Sequence, residues 1–229
     1  MNISKKIKKI QSEVDLTKSY KLTEALELSK KFSTSKFDES IDLSIVLGID
    51  AKKTDQLVRG VLSLPKGVEK KIKIAVFASG DDVEKAKSAG ADLVGSDELV
   101  EQVKSGKIDF DKCISTPEMM AKVGTLGQIL GPKGLMPNPK LGTVTKNIVE
   151  AIKNIKSGQI EYKTDKSGIV HASIGKSSFK EEELMKNIKF FYQELNKAKP
   201  STSKGVFVKR MFISSTMGPG LKVDLSSVI

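Results

Sequence analysis

The chain has 229 residues, 38% of them hydrophobic and 29% charged, with a formal net charge of +11. That is enough apolar material for one large or two modest cores, and it excludes wholesale disorder. A charge so far from zero points to an anionic partner, whether nucleic acid, a membrane surface or an acidic protein, and says nothing about fold.

The first ten residues, MNISKKIKKI, are basic but hold neither an apolar stretch nor a small-residue cleavage site, so they do not read as a secretory signal. The spacing predicts helices over Ser4–Val14 and Thr23–Phe32. Lys36–Leu47 then alternates, with Ile41, Leu43, Ile45 and Leu47 on one face and Ser40, Asp42 and Ser44 on the other, which is the pattern of a half-buried strand.

The middle of the chain changes rhythm. Lys71–Ala78, Ala91–Val94 and Lys112–Ser115 read as short buried strands. The longest unbroken apolar run, Ile74–Ala78, is far too short to span a bilayer. Between the strands, Asp81–Ala89 reads as a helix stopped by Gly90, and Asp97–Ser105 as one capped by Ser96 and stopped by Gly106. Pro117 opens another helix, and Thr145–Ser157 carries Ile148, Val149, Ile152 and Ile155 on one face. Strand–helix alternation at this spacing predicts βαβ units and a parallel sheet. The lone Cys113 cannot form an internal disulfide and reads as a buried strand residue in a reducing cytosol.

After Gly158 the pattern returns to α+β. Gln159–Lys163 and Ile169–Ile174 read as strands joined by the turn Asp165–Gly168. Lys180–Lys197 is a helix with Leu184, Ile188, Phe191 and Leu195 inward, and Lys204–Thr216 a long strand. The two chain ends carry nine of the eleven net positive charges. The simplest assembly is therefore α/β and α+β in two domains. Residues 1–66 and 159–229 make a discontinuous, more basic α+β domain. Residues 67–158 make an inserted doubly wound, Rossmann-like α/β domain with a parallel sheet. The two crossings would form a double hinge.

Several stretches bear on chemistry. One His and one Cys exclude a Cys/His metal cluster, and no cofactor is expected. Gly175-Lys176-Ser177 ends like a P-loop, but Val170 stands where that motif needs glycine. The first middle strand is followed by Ser79-Gly80-Asp81-Asp82, whose acids would repel a phosphate. A nucleotide-dependent enzyme on the inserted domain is thus the weaker alternative. Phe37 reads either as a core residue at the sheet edge or, with Lys36, as an aromatic and cationic contact for RNA. The last strand puts Arg210, Phe212, Ser214 and Thr216 on one face and Met211, Ile213 and Met217 on the other. Ahead of Gly218 and Gly220, its hydroxyl face suits either an ordinary edge strand or the 2′-OH groups and phosphates of folded RNA. His171 falls opposite Val170 and Ala172, on the open face or facing RNA. Basic residues are 37 Lys and 2 Arg, which favours backbone and shape recognition over reading of duplex sequence. Gly127–Gly142, GQILGPKGLMPNPKLG, lies within an acid-free run and offers Lys133 and Lys140 on a loop that Gly and Pro keep from regular structure.

KFDES at 36–40, GPKGLMPNPKLGTV at 131–144, IEYKTDKSGIVHA at 161–172 and SSTMGP at 214–219 make the chain resemble the bacterial large-subunit ribosomal protein L-one family. The resemblance implies a non-catalytic, two-domain constituent of the lateral stalk, monomeric when free, on the cytoplasmic ribosome. It implies large-subunit rRNA, exit-site tRNA and the chain's own operon mRNA as partners, with no membrane. It also implies help in tRNA release and repression of its own translation. Family RNA contacts map onto Lys36, Phe37, Ser40, Thr216, Met217 and Gly218. The candidate interface is completed by His171, Arg210 and Ser214, with Lys133 and Lys140 as a secondary basic loop.

Overall fold

The computed structural model describes residues 10, 12–67, 72–203 and 205–228; the side chains of Asp81 and Lys140 lie outside the described residues. Its elements run Ser19–Tyr20 (β1), Leu22–Lys31 (α1), Ser40–Leu47 (β2), Arg59–Ser63 (β3), Ile74–Phe77 (β4), Asp81–Ser88 (α2), Leu93–Gly95 (β5), Asp97–Lys104 (α3) and Lys112–Ser115 (β6). They continue with Met120–Gly124 (α4), Gly127–Leu130 (α5), Ile148–Lys156 (α6), Gln159–Lys163 (β7), Ile169–Lys176 (β8), Glu181–Lys197 (α7), Val208–Ser215 (β9) and Leu221–Val223 (β10). Two compact units result, Met1–Glu69 with Ile160–Ile229, and Lys70–Gln159.

In the terminal unit a five-stranded sheet has the order β1-β10-β9-β2-β8. The pair β1–β10 is parallel, and β10–β9, β9–β2 and β2–β8 are antiparallel. The alternation of β2 sends Ile41, Leu43, Ile45 and Leu47 into the core. Leu184, Ile188, Phe191 and Leu195, spaced at three and four residues, form one fully buried face of α7. With Leu22, Ala25 and Leu26 of α1 they belong to one apolar cluster. The opposite face of the sheet keeps its polar row. A β-bulge between Ile41 and Asp42 skips Ile174 in the β2–β8 register. Gly175, beside it, has no room for a side chain, because a Cβ would lie 2.7 Å from Leu184 and 2.9 Å from Phe179.

In the inserted unit the sheet is parallel, with the order β5-β4-β6. Its two faces belong to separate clusters. Ala75, Phe77 and Cys113 pack with Leu99, Val100, Val103, Val123 and Leu130; Ile74, Val76 and Ile114 pack with Ala86, Ile148, Ile152 and Ile155. This is the mixed α/β architecture expected, a sheet from both chain ends and a parallel sheet inserted in the middle.

Local expectations need correction at several points. Only Ile10, Ser12 and Glu13 of the first helix fall among the described helical residues. Strands β7 and β8 are not a hairpin: β7 pairs with β3, β8 with β2, and a single bridge, Thr164 to Val170, joins their ends. The turn closes locally, but each strand finds its partner elsewhere. Strand β9 starts at Val208, short of the span expected from Lys204, which lies outside the described residues. Ser96 stands at the start of α3 without a side-chain cap bond. Residues 117–119 form a turn, and the helix starts only at Met120. Val149 is off the buried face of α6. Among the described residues no helix is long and apolar enough to cross a membrane.

Candidate nucleic-acid interface

At one end of the terminal sheet the start of β2 meets the end of β9. Ile41 pairs with Ser215, and beyond that pair the strands are stitched by a side chain. The Ser40 amide donates to Thr216 Oγ1 at 2.9 Å, and the Thr216 amide returns a bond to the Ser40 carbonyl at 3.1 Å. Residues 176 apart in sequence are thus locked together. Met217 and Gly218 follow in a tight turn, where the Gly218 amide donates to the Ser215 carbonyl at 3.1 Å. A Cβ on Gly218 would collide with Ser215 Oγ, so any larger residue there would force the Ser215 hydroxyl to turn away.

Two large apolar side chains stand exposed beside this junction, Phe37 at 55% and Met217 at 58%. Folding leaves both in water, although a core was available a few residues away, so they are free to meet a partner. Phe37 is therefore not a core residue. Met217 lies beyond β9 and does not share the inward face of Met211 and Ile213. Lys36 is exposed next to Phe37. Lys176 Nζ reaches Ser40 Oγ at 3.0 Å, adding a cation at the rim.

Beside the junction lie two carboxylates that the sequence reading did not place in the site, Asp38 exposed and Glu39 buried. Asp38 accepts from Ser177 Oγ at 2.9 Å, Ser178 Oγ at 2.8 Å and the Ser178 amide at 3.2 Å, tying the segment to the start of α7. Desolvation alone would raise its pKa; the bonds from Ser178 and Ser177 hold it below the usual range. Glu39 is fully buried. Its Oε1 accepts from the Ser35 amide at 3.2 Å and its Oε2 from the Met217 amide at 3.1 Å. Burial would raise its pKa, yet hydrogen bonds from Ser35 and the Met217 amide prevail and lower it to about 2. A signal existed in the sequence: the odd-numbered inward row Ile41, Leu43, Ile45 extends back to 39.

The folded pKa lies below the unfolded one, so Glu39 contributes stability above about pH 4.5 and loses it as pH falls toward 2. Urea unfolding of Glu39→Gln and the wild type at several pH values checks this. The wild-type advantage at pH 6 should shrink between those limits, with a slope of at most about 1.4 kcal/mol per pH unit. All three tyrosines, Tyr20, Tyr162 and Tyr192, fall in the terminal unit and the chain has no Trp, so tyrosine emission reports that unit alone.

The other candidates form a stripe down the open face. Asp42 pairs with Ser214 and Ser173, Ser44 with Phe212 and His171, and Val46 with Arg210. His171 is exposed, with Nδ1 3.1 Å from Ser44 Oγ and Nε2 3.9 Å from Asp165 Oδ2. At about 3.3 Å per residue, the His171 row lies roughly 13 Å and the Arg210 row roughly 20 Å from Ser40. The fold therefore gathers Lys36, Phe37, Ser40, Thr216, Met217 and Gly218 at one point. Ser214 is adjacent, and His171 and Arg210 stand apart.

In the inserted unit, Gly127–Gly142 is less irregular than expected. Gly127–Leu130 is a helical turn, because Leu130 is drawn fully into the core. The Leu135 amide bonds the Leu130 carbonyl at 3.0 Å, Cys113 Sγ donates to the Leu135 carbonyl at 2.6 Å, and the Asn138 amide donates to Thr143 Oγ1 at 2.8 Å. Lys133 is exposed on the turn; the Lys140 side chain lies outside the described residues.

Residues 29–219 match the Ribosomal protein L1p/L10e family. The whole chain is similar to large ribosomal subunit protein uL1 of Methylobacillus flagellatus, 56% identical over 227 residues, covering 99% of both chains. It is also similar to the proteins of that name from Polynucleobacter asymbioticus, 55% identical over 226 residues and covering 99% of this chain and 97% of the relative, and Thiobacillus denitrificans, 52% identical over 227 residues and covering 99% and 98%.

Proposed function

Since the chain belongs to the Ribosomal protein L1p/L10e family, we propose that it is built into the large ribosomal subunit by binding rRNA at the junction of β2 and β9. It is a ribosomal protein, not an enzyme. Lys36 and Lys176 set cations near the phosphate backbone. Phe37 supplies a ring for a sugar or base, and the exposed thioether of Met217 packs beside it. Thr216 and Ser40 offer hydroxyls to 2′-OH groups, and Gly218 lets a backbone approach closely. Ser214 extends this surface, with His171 and Arg210 as outlying contacts. The observation that carries the reading is the pair of exposed apolar side chains, Phe37 and Met217, flanking a hydrogen-bonded junction.

The bound rRNA is the lateral stalk, where the protein assists release of deacylated tRNA from the exit site. The same surface binds the leader of its own operon mRNA and so represses translation. Support comes from the family motifs, the net charge of +11 and the preponderance of Lys over Arg, which suits a recurring RNA shape rather than a duplex sequence. Lys133 and Lys140 act as a secondary basic loop whose loss alters tRNA release more than stalk affinity.

Filter binding to a stalk rRNA fragment tests the reading. If about five phosphates are neutralised, log affinity falls against log salt with a slope near −3.5 to −4.5. The leader RNA should compete for the same protein. Equal affinity for duplex DNA of the same length would overturn the assignment.

A further inference from the structure

Glu39 occupies a position that the alternation of β2 reserves for apolar side chains. A buried carboxylate is costly unless its lone pairs are filled. Here the two oxygens face two different backbone amides, Ser35 at 3.2 Å and Met217 at 3.1 Å. Ser35 lies two residues before Phe37, and Met217 carries the other exposed apolar side chain. The Glu39 backbone carbonyl accepts from the Ser177 amide at 2.8 Å, which fixes the residue from a third side. The reciprocal bonds of Ser40 and Thr216 hold those two residues together, but they reach neither Ser35 nor the Met217 amide.

We infer that Glu39 is a positioning residue of the RNA site, its two carboxylate oxygens locking the segment that bears Phe37 to the turn that bears Met217. The inference rests on the rRNA-binding reading above. Being fully buried, Glu39 offers nothing to RNA itself. Its contribution is geometric: the ring and the thioether are held at one spacing before RNA arrives, so binding does not have to order two independent loops. The depressed pKa agrees with this, since the ionised group accepts from both amides more strongly than a carboxylic acid, whose hydroxyl oxygen is a poor acceptor. A glutamine cannot do the same. One of its two terminal atoms is an NH2 donor, and it would face an N–H whichever way the amide is turned.

The test uses the full chain and a stalk rRNA fragment. Glu39→Gln should weaken binding roughly tenfold or more at low and high salt alike, with the log–log salt slope unchanged because no phosphate contact is lost. Amide proton resonances of Ser35 and Met217 should move upfield as the charged acceptor disappears. If Glu39→Gln does not fold, Glu39→Asp carries the test. It keeps the charge but is one methylene too short to reach both amides, and it too should bind more weakly. Wild-type affinity in the folded variant overturns the inference, as does a loss explained wholly by the unfolded fraction. A Thr216→Ala, Met217→Ala double variant serves as reference. If that variant binds like the wild type, the RNA site is misplaced and Glu39 falls with it. If it binds weakly while both Glu39 variants bind normally, only the positioning role fails.

Discussion

Replacing Thr216 and Met217 together by alanine lowers affinity for the stalk rRNA fragment by roughly two orders of magnitude at every salt concentration. Met217 is 58% exposed in the free protein, so its burial against RNA is all gain. Fully burying such a side chain contributes about 1.5 to 3 kcal/mol, so covering the exposed part of Met217 contributes about 1 to 2 kcal/mol. Thr216 acts twice. Its Oγ1 accepts the Ser40 amide at 2.9 Å and donates a long bond of 3.4 Å to the Ser40 carbonyl, which a ribose or phosphate oxygen can replace. Losing one such bond to RNA costs about 1 to 2 kcal/mol more, while the Ser40 amide left without its acceptor weighs on stability. Neither residue is charged, so the salt slope should stay where it is in the wild type. Both are exposed, so urea stability should fall by no more than about 1 kcal/mol. Affinity equal to wild type would remove the junction from the interface. A changed slope with affinity retained would point instead to the exposed lysines of the terminal unit.

What made this site legible in the sequence was parity, and what hid part of it was distance. Period-two alternation placed Ile41, Leu43 and Ile45 inward and His171, Ser214 and Arg210 outward, because side-chain direction in a strand is a local property. Nothing local says that Ser40 will meet Thr216, and without the family motifs the two segments would have remained separate observations. Nor does parity measure position along a strand, which is why His171 and Arg210 were grouped with residues that lie rows away. Glu39 was missed for a different reason. An acid among Lys36, Asp38 and Ser40 reads as solvated, and only the fold supplies two amides to fill its lone pairs. The β7–β8 hairpin failed in the same way: Asp165–Gly168 is a genuine turn, but a turn does not choose the neighbours of the strands it joins. In the inserted unit, strand–helix alternation carried the architecture because each βαβ unit is local. Gly127–Leu130 became helical because burying Leu130 outweighed the glycine at its start.

The second large effect is on stability, at Asn187, a fully buried polar residue on the inward side of α7. The β2–β8 bulge leaves Ile174 out of the ladder register, so its carbonyl has to find a partner elsewhere. Asn187 Nδ2 supplies it at 2.9 Å. The same Nδ2 donates to the Lys66 carbonyl at 2.9 Å, and Oδ1 accepts the Lys66 amide at 3.1 Å. One side chain thus satisfies three backbone groups. Leucine has the same number and branching of heavy atoms but bulkier methyl tips and no polar atom, so Asn187→Leu strands all three. A buried group left unmade costs about 1 to 3 kcal/mol, and the two on Lys66 are only partly buried and recover some water. The expected loss is about 3 kcal/mol, well above what a surface change produces. Asn187→Asp should do worse, since it keeps the acceptor for the Lys66 amide but sets a negative charge against two carbonyl oxygens. Urea unfolding read by tyrosine emission measures both. A leucine variant within about 0.5 kcal/mol of wild type would mean that the bulge relaxes to satisfy Ile174 by itself. A loss confined to the aspartate would mean that charge burial, not the three-way bond, governs the site.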